Sequence, residues 1–207
     1  MYLYGAGGHA KVIIEIIKSY NIVISGMFDD NLYVRPLYGF NIKKGIKMSG
    51  KAAFPKLELP VIISIGDNER RAEIAKLLNV VYGIAIHPSA IISNKELIEE
   101  GAVVLQGAIL QNDVSIGKHV LINTAARICN GARIGNYAHV SPHGVVSENA
   151  VVGEGTHVGA SAVIDSNVTV GKWCKIGAGA FVVSDIPDGC TVVGNPMRFI
   201  KESIAHV

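Results

Sequence analysis

Residues 116–140 read IGKHVLINTAARICNGARIGNYAHV, and in that stretch a large aliphatic residue returns every six positions, at Ile116, Ile122, Ile128, Ile134 and Val140. Followed outward in both directions, the series runs from Ile86 through Ile92, Ile98, Val104 and Leu110, and on through Val146, Val152, Val158, Ile164, Val170 and Ile176 to Val182, seventeen positions without a slip. A small residue often stands four places later, as at Ala126, Ala132, Ala138, Gly144, Ala150, Ala162 and Ala180, and glycine often follows the aliphatic directly, as at Gly117, Gly135, Gly153, Gly159, Gly171 and Gly177. A period of six suits neither a helix nor an alternating two-faced sheet, but it fits short strands joined by tight turns. One hexad makes one side, three sides close a coil, and seventeen hexads predict a prism of between five and six stacked coils at residues 83–190, with 191–207 as a tail.

Composition narrows the function classes. The 207 residues carry 19 Lys and Arg against 17 Asp and Glu, scattered rather than blocked, so there is no basic stripe of the kind that holds a nucleic acid. The apolar runs, such as Val61–Ile65, are strand-length and fall short of a membrane span. Met1 leads straight into Tyr2-Leu3-Tyr4-Gly5, with no basic and apolar leader pattern, so a cytoplasmic address is expected. Three cysteines, Cys129, Cys174 and Cys190, lack metal-ligand or disulfide-framework spacing and read as ordinary core or surface residues.

Residues 1–82 follow different rules. Tyr2-Leu3-Tyr4, the turn Gly5-Ala6-Gly7-Gly8-His9-Ala10 and the apolar periodicity of Lys11–Lys18 predict strand, glycine loop and helix. Further apolar runs at Ile22–Ile24 with Met27–Phe28, and at Val61–Ile65, alternate with a helical pattern at Glu69–Leu78, which predicts a small parallel, Rossmann-like α/β domain. Gly5-x-Gly7-x-x-Ala10 fits a loop whose backbone approaches a phosphate at a helix N-terminus, or one that serves only the turn. Asp29 and Asp30 follow at the distance of a ribose-binding acid, which brings in a nicotinamide oxidoreductase reading. The domain is small for a dinucleotide, so a mononucleotide or nucleotide sugar fits better.

The combination of GAGGHA at 5–10, Phe28-Asp29-Asp30, Ile65-Gly66-Asp67-Asn68, His87-Pro88-Ser89-Ala90 and the hexapeptide prism resembles a branch of the hexapeptide-repeat acetyltransferases. That branch contains the sialic-acid O-acetyltransferases and the N-acetyltransferases of bacillosamine and perosamine precursors. The resemblance implies a left-handed parallel β-helix, a homotrimer, acetyl-CoA as co-substrate in a cleft shared with the neighbouring subunit, a nucleotide-sugar acceptor and no metal. It implies that Gly7, Gly8, His9, Asp29, Asp30 and Gly66 line the acceptor pocket. On the same grounds His139, Ala160, Gly177 and Ala178 would contact the coenzyme, with Gly194-Asn195-Pro196 nearby, and Asn123 would lie on the strand leading into the active site.

One departure bears on mechanism. Where the family has an acid-His-acid-Cys hexad, this chain has Cys129-Asn130-Gly131-Ala132. An asparagine can position a substrate or donate to an oxyanion, but it cannot act as a general base. Another histidine can supply the base, His143 first because the family usually has glycine there, then His9, then His119. Alternatively a low-pKa amine needs none, with Asn130 and Asn123 positioning it, or the chain has become a trimeric binding protein without catalysis. His139 and His157 stand 18 apart at one hexad position and can equally be a plain stack on an exposed face, with Lys175 next in the column.

Overall fold

The computed structural model describes residues 1–31, 36–46 and 55–201. The N-terminal domain is a parallel sheet in the order β3-β2-β1-β4, formed by β1 (Tyr2–Tyr4), β2 (Gly26–Asp29), β3 (Ile42–Lys44) and β4 (Val61–Ile63). Helix α1 (Gly8–Ser19) follows β1, and α2 (Asn68–Leu77) follows β4. On α1 the residues Ala10, Ile13, Ile14, Ile16 and Ile17 are buried, the 3–4 spacing that lays one apolar stripe on the core. Two local expectations change. Ile22 and Val23 are not strand residues but sit exposed after Asn21 turns the chain at a φ of 55°, and the strand starts at Gly26. The edge strand β3 has too few apolar residues to be legible, since only Ile42 packs inward.

From Ala85 onward the chain winds as a left-handed parallel β-helix of two-residue strands on three faces. The first face stacks Ala85–Ile86, Val103–Val104, Leu121–Ile122, His139–Val140, His157–Val158 and Lys175–Ile176. The second runs from Ile91–Ile92 to Phe181–Val182, and the third from Ser115–Ile116 to Thr169–Val170. In every pair the second residue enters the core and the first faces outward. The prism outlasts the regular repeat: Thr191–Val193 pairs in register with Lys175–Ile176, and Arg198–Lys201 adds an antiparallel strand. Residues expected as a tail beyond Cys190 thus extend the first face, as far as they are described.

The turns explain the two small-residue series. From Ile98 to Ile176 the residue three after each aliphatic adopts a left-handed conformation, including His119 (φ 55°), Ala125 (54°), Tyr137 (60°), His143 (58°) and Trp173 (54°). Its N–H is tied to the coil before, as His143 N to Thr124 O at 3.0 Å. The glycines directly after the aliphatics have another cause, the closeness of the next coil. A Cβ on Gly135 would meet Glu154 N at 2.7 Å, and one on Gly153 would meet Gly171 C at 2.5 Å. The small residues at the fourth position, such as Ala126, Ala132 and Ala138, are fully buried in the corners.

The N-terminal domain sits on the lower first face, where α1 packs in one cluster with the outward residues Ala85, Val103 and Leu121. Above them the outward column becomes His139, His157 and Lys175, and the domain leans over these without covering them. No described helix is long and apolar enough to cross a membrane.

Candidate active site

Two cavities meet at Gly66. The first, about 280 Å³, lies over the glycine loop and is lined by Gly7, Gly8, His9, Asp29, Gly66 and Arg70 among others. A Cβ on Gly7, Gly8 or Gly66 would meet nothing within 4 Å, so the backbone there is bare to the cavity. Gly7 caps α1 without a side-chain acceptor, which leaves the first N–H groups of a 12-residue helix facing the same space. Gly5 serves the turn itself: it has a φ of 108° and passes 3.0 Å (ideal Cβ) from Ser64 O.

Asp29 has a task besides the one its spacing suggests. Its Oδ2 accepts from Ala6 N at 2.7 Å and its Oδ1 from Asn31 N at 2.8 Å, so the carboxylate braces the glycine loop. Each oxygen keeps a second lone pair, so the carboxylate holds the loop in shape and can still accept from a ligand hydroxyl. Asp29→Ala is expected to weaken about tenfold the binding of a ligand held by this loop, the worth of one charge-assisted hydrogen bond; calorimetry with nucleoside diphosphates checks it. Asp30 stands behind the cavity wall, bonded to Tyr4 Oη and paired with Arg70, which it aims at the pocket.

The second cavity, about 430 Å³, opens between the start of α2 and the upper first face, lined by Gly66, Asp67, His139, His157, Trp173 and Lys175 among others. His139 and His157 stack with ring centroids 4.9 Å apart. Asn123 Nδ2 lies 3.1 Å from His139 Nε2, and Ser141 Oγ lies 2.7 Å from His157 Nε2. Burial, then the neighbouring His157, Arg71 and His9, pushes His139 down to about 3; burial and Arg71 push His9 down to about 4. His119, buried between Tyr82 and Tyr137, is also held down at about 4, by burial first. These rings are therefore neutral at pH 7, and with its Nε2 accepting from Asn123, His139 carries its proton on Nδ1.

The sign of the stability effect follows. The folded values lie below the ordinary 6.5, so between roughly pH 6.5 and 4 the unfolded chain takes up protons that the fold refuses, and stability is lost as pH falls. The urea midpoint is expected to be flat above pH 7 and clearly lower at pH 5; an unchanged midpoint would show the rings to be open to solvent.

The other candidates divide between corners of the prism. Asn123, His143, Ala160, Gly177 and Ala178 all lie on the corner joining the first and second faces, on successive coils, with His139 on the adjoining strand. His143 is exposed there and borders a shallow groove of about 380 Å³ with Ala125, Arg127 and Val145. Asn130 is on the next corner, between the second and third faces, and is not brought together with them within one chain. Its Oδ1 accepts from Asn112 N at 3.2 Å, the same coil-to-coil bond that Asn136 makes to Lys118 N and Asp188 to Lys172 N.

Three residues at the site escaped the sequence reading: Arg70 and Trp173, which line the cavities, and Arg71, buried behind them. Arg70 and Arg71 adjoin the Gly66-Asp67-Asn68 segment, and a double arginine on an otherwise short helix was the available signal. Trp173 carries no such signal, because its place depends on Gly155, where a Cβ would lie 2.2 Å from the indole.

Comparison with known families matches residues 1–78 to the PglD N-terminal domain and residues 149–184 to the bacterial transferase hexapeptide (six repeats). Among solved structures, PerB from Caulobacter crescentus in complex with CoA and GDP-perosamine is 28% identical over 97% of this chain and 96% of that one, with a TM-score of 0.84. A histidine-to-asparagine mutant of the Caulobacter perosamine N-acetyltransferase, also with CoA and GDP-perosamine, is 28% identical over the same shares, with a TM-score of 0.83. The acetyltransferase domain of PglB from Neisseria gonorrhoeae in complex with acetyl coenzyme A is 29% identical over 96% of this chain and 98% of that one, with a TM-score of 0.85. A search of the curated proteins finds no match.

Proposed function

We propose that this chain, a member of the hexapeptide-repeat sugar acetyltransferases that carry a PglD N-terminal domain, transfers the acetyl group of acetyl-CoA to the amine of a nucleotide-linked amino sugar for surface-glycan synthesis. The observation that carries this is the junction of the two cavities at Gly66: a bare glycine loop and helix N-terminus for a diphosphate on one side, and a half-buried neutral imidazole, His139, on the other. The two Caulobacter structures, which hold CoA together with GDP-perosamine, support this pairing of ligands, and the PglB acetyltransferase domain, which holds acetyl coenzyme A, supports the acyl donor.

In this reading the nucleotide lies over Gly7, Gly8 and His9, with Arg70 on its phosphates, and the sugar amine points past Gly66 toward the prism. Acetyl-CoA runs along the corner of Asn123, Ala160, Gly177 and Ala178. The amine nitrogen attacks the thioester carbonyl carbon, His143 takes the proton released from nitrogen, and the sulfur leaves as thiolate and is reprotonated. His139, oriented by Asn123, donates Nδ1–H toward the coenzyme. The site is completed in a homotrimer: the outward residues of the second face are Ile91, Ile109, Val145, Val163 and Phe181, broken only by Arg127, an apolar strip that suits burial against another copy. That copy supplies Asn130, its amide fixed by Asn112, as a donor to the substrate. Both co-substrates of this reading are cytoplasmic metabolites, which supports a cytoplasmic address.

Thiol release from acetyl-CoA, measured with a set of UDP- and GDP-linked amino sugars, is expected to show turnover with at least one acceptor. No release with any, while calorimetry still detects CoA and nucleotide-sugar binding, would favour the other reading, a binding protein that lost its chemistry with the replacement at Asn130.

A further inference from the structure

Arg71 is the largest fully buried side chain among the described residues, at 0% exposure, and its partners are unusual for a buried cation. Its guanidinium bonds to neutral oxygens from three parts of the chain. Nη1 donates to Ile65 O at 3.0 Å and Gly66 O at 3.1 Å, on the turn where the two cavities meet. Nε donates to His119 O at 2.8 Å and Nη2 to Tyr137 O at 2.7 Å, carbonyls of two successive coils on the corner between the third and first faces. Nη2 also reaches Asn68 Oδ1 at 2.8 Å, and Asn68 Nδ2 carries the chain of bonds to Gly155 O at 3.0 Å on the coil above.

Burying a charge without a bonded carboxylate is costly unless every donor is met. The fork geometry of arginine meets it here, and no lysine could span the same acceptors. A residue needed only to join the domain to the prism could be apolar, as the packing of α1 on Val103 and Leu121 demonstrates lower down. The guanidinium instead connects the turn that bears Gly66 to Tyr137, two residues before His139.

We propose that Arg71, with Asn68, is a positioning clamp for acetyl transfer, fixing the separation between the acceptor turn at Gly66 and the coenzyme-side His139 so that the amine meets the face of the thioester carbonyl. Resting on the acetyltransferase reading, the proposal concerns geometry rather than chemistry: Arg71 touches neither ligand. Misplacement by about 1 Å at such a junction costs on the order of 100-fold in rate.

Arg71→Lys keeps the charge and loses the fork. It is expected to lower kcat about 100-fold, with both KM values within about threefold of wild type, since each half-site stays intact. Asn68→Ala, which removes the link to the upper coil and one of the acceptors of Arg71 while leaving the guanidinium's four carbonyl bonds, is expected to lose about tenfold and serves if Arg71→Lys does not fold. Trp173, the one tryptophan of the chain, lines the cleft facing Asp67 and gives a readout independent of turnover. Its emission should move to longer wavelength in both variants as the turn lifts and water enters. Wild-type kcat with unshifted emission in Arg71→Lys overturns the clamp, as does a loss confined to melting temperature. If the wild-type protein itself turns over no acceptor, the acetyl-transfer reading fails, and the Trp173 shift alone decides whether the clamp exists.

Discussion

His143→Asn is expected to reduce kcat on the order of 100-fold, the usual contribution of a well-placed general base, while leaving the melting temperature within about 2 °C of wild type. Asparagine is the substitution of choice because position 143 has a φ of 58°, a conformation that asparagine tolerates better than alanine does. The side chain is exposed within one chain and packs on nothing that would destabilise the coil when removed. Turnover equal to wild type would take the base away from His143. It would leave an amine that loses its proton to bound water, with positioning by Asn123 and Asn130 supplying the rate. Acetyl-CoA binding by calorimetry should be nearly the same in the variant, because the proton acceptor acts only once the nitrogen has begun to attack.

The largest structural effect is expected at Gly153→Val. An added Cβ there would stand 2.5 Å from Gly171 C and O and 2.7 Å from Lys172 N, all backbone, so the next coil would have to separate from its neighbour. Forced overpacking against main chain costs at least about 3 kcal/mol, a fall of roughly 10 °C in melting temperature for a chain of this size. Gly179→Asn is the contrasting case. Gly179 has a φ of 66° but nothing within 4 Å of a Cβ, and its left-handed position is filled by Asn149 and Asn167 elsewhere in the prism. Its cost should stay below about 1 kcal/mol. Thermal melts followed by circular dichroism separate the two; equal losses would mean that coil spacing is softer than the hydrogen-bond ladder implies.

The prism is legible in the sequence because a single rule, an aliphatic every six residues, is imposed on each coil by the one above it. The glycine domain is legible in outline, less so in detail: Ile22 and Val23 look like strand by composition, yet Asn21 turns the chain first, and β3 carries one apolar residue where pattern needs several. Asp29 stands out by spacing, but its bonds to Ala6 and Asn31 decide what it does. For the candidate site, the hexad register separates Asn130 from Asn123 and His143 by a whole face, a fact contained in the numbering once three hexads are taken as one turn. The outward column of the first face also carries information, changing from Ala85, Val103 and Leu121 to His139, His157 and Lys175 where the covering domain ends. Arg71 is illegible by any such rule. Its importance comes from carbonyls at residues 65, 66, 119 and 137, which no pattern of side chains announces.

The stacking of His139 over Leu121 and under His157 also makes the first face a ruler with fixed graduations. Adjacent rungs of a sheet are about 4.8 Å apart, so moving the imidazole to another coil would shift it by that step and nothing smaller. On the proposed reading the reach from the glycine loop to the acyl donor is therefore quantised, and an acceptor sugar longer by one residue would be matched by transplanting a histidine eighteen positions along the chain rather than by remodelling a loop.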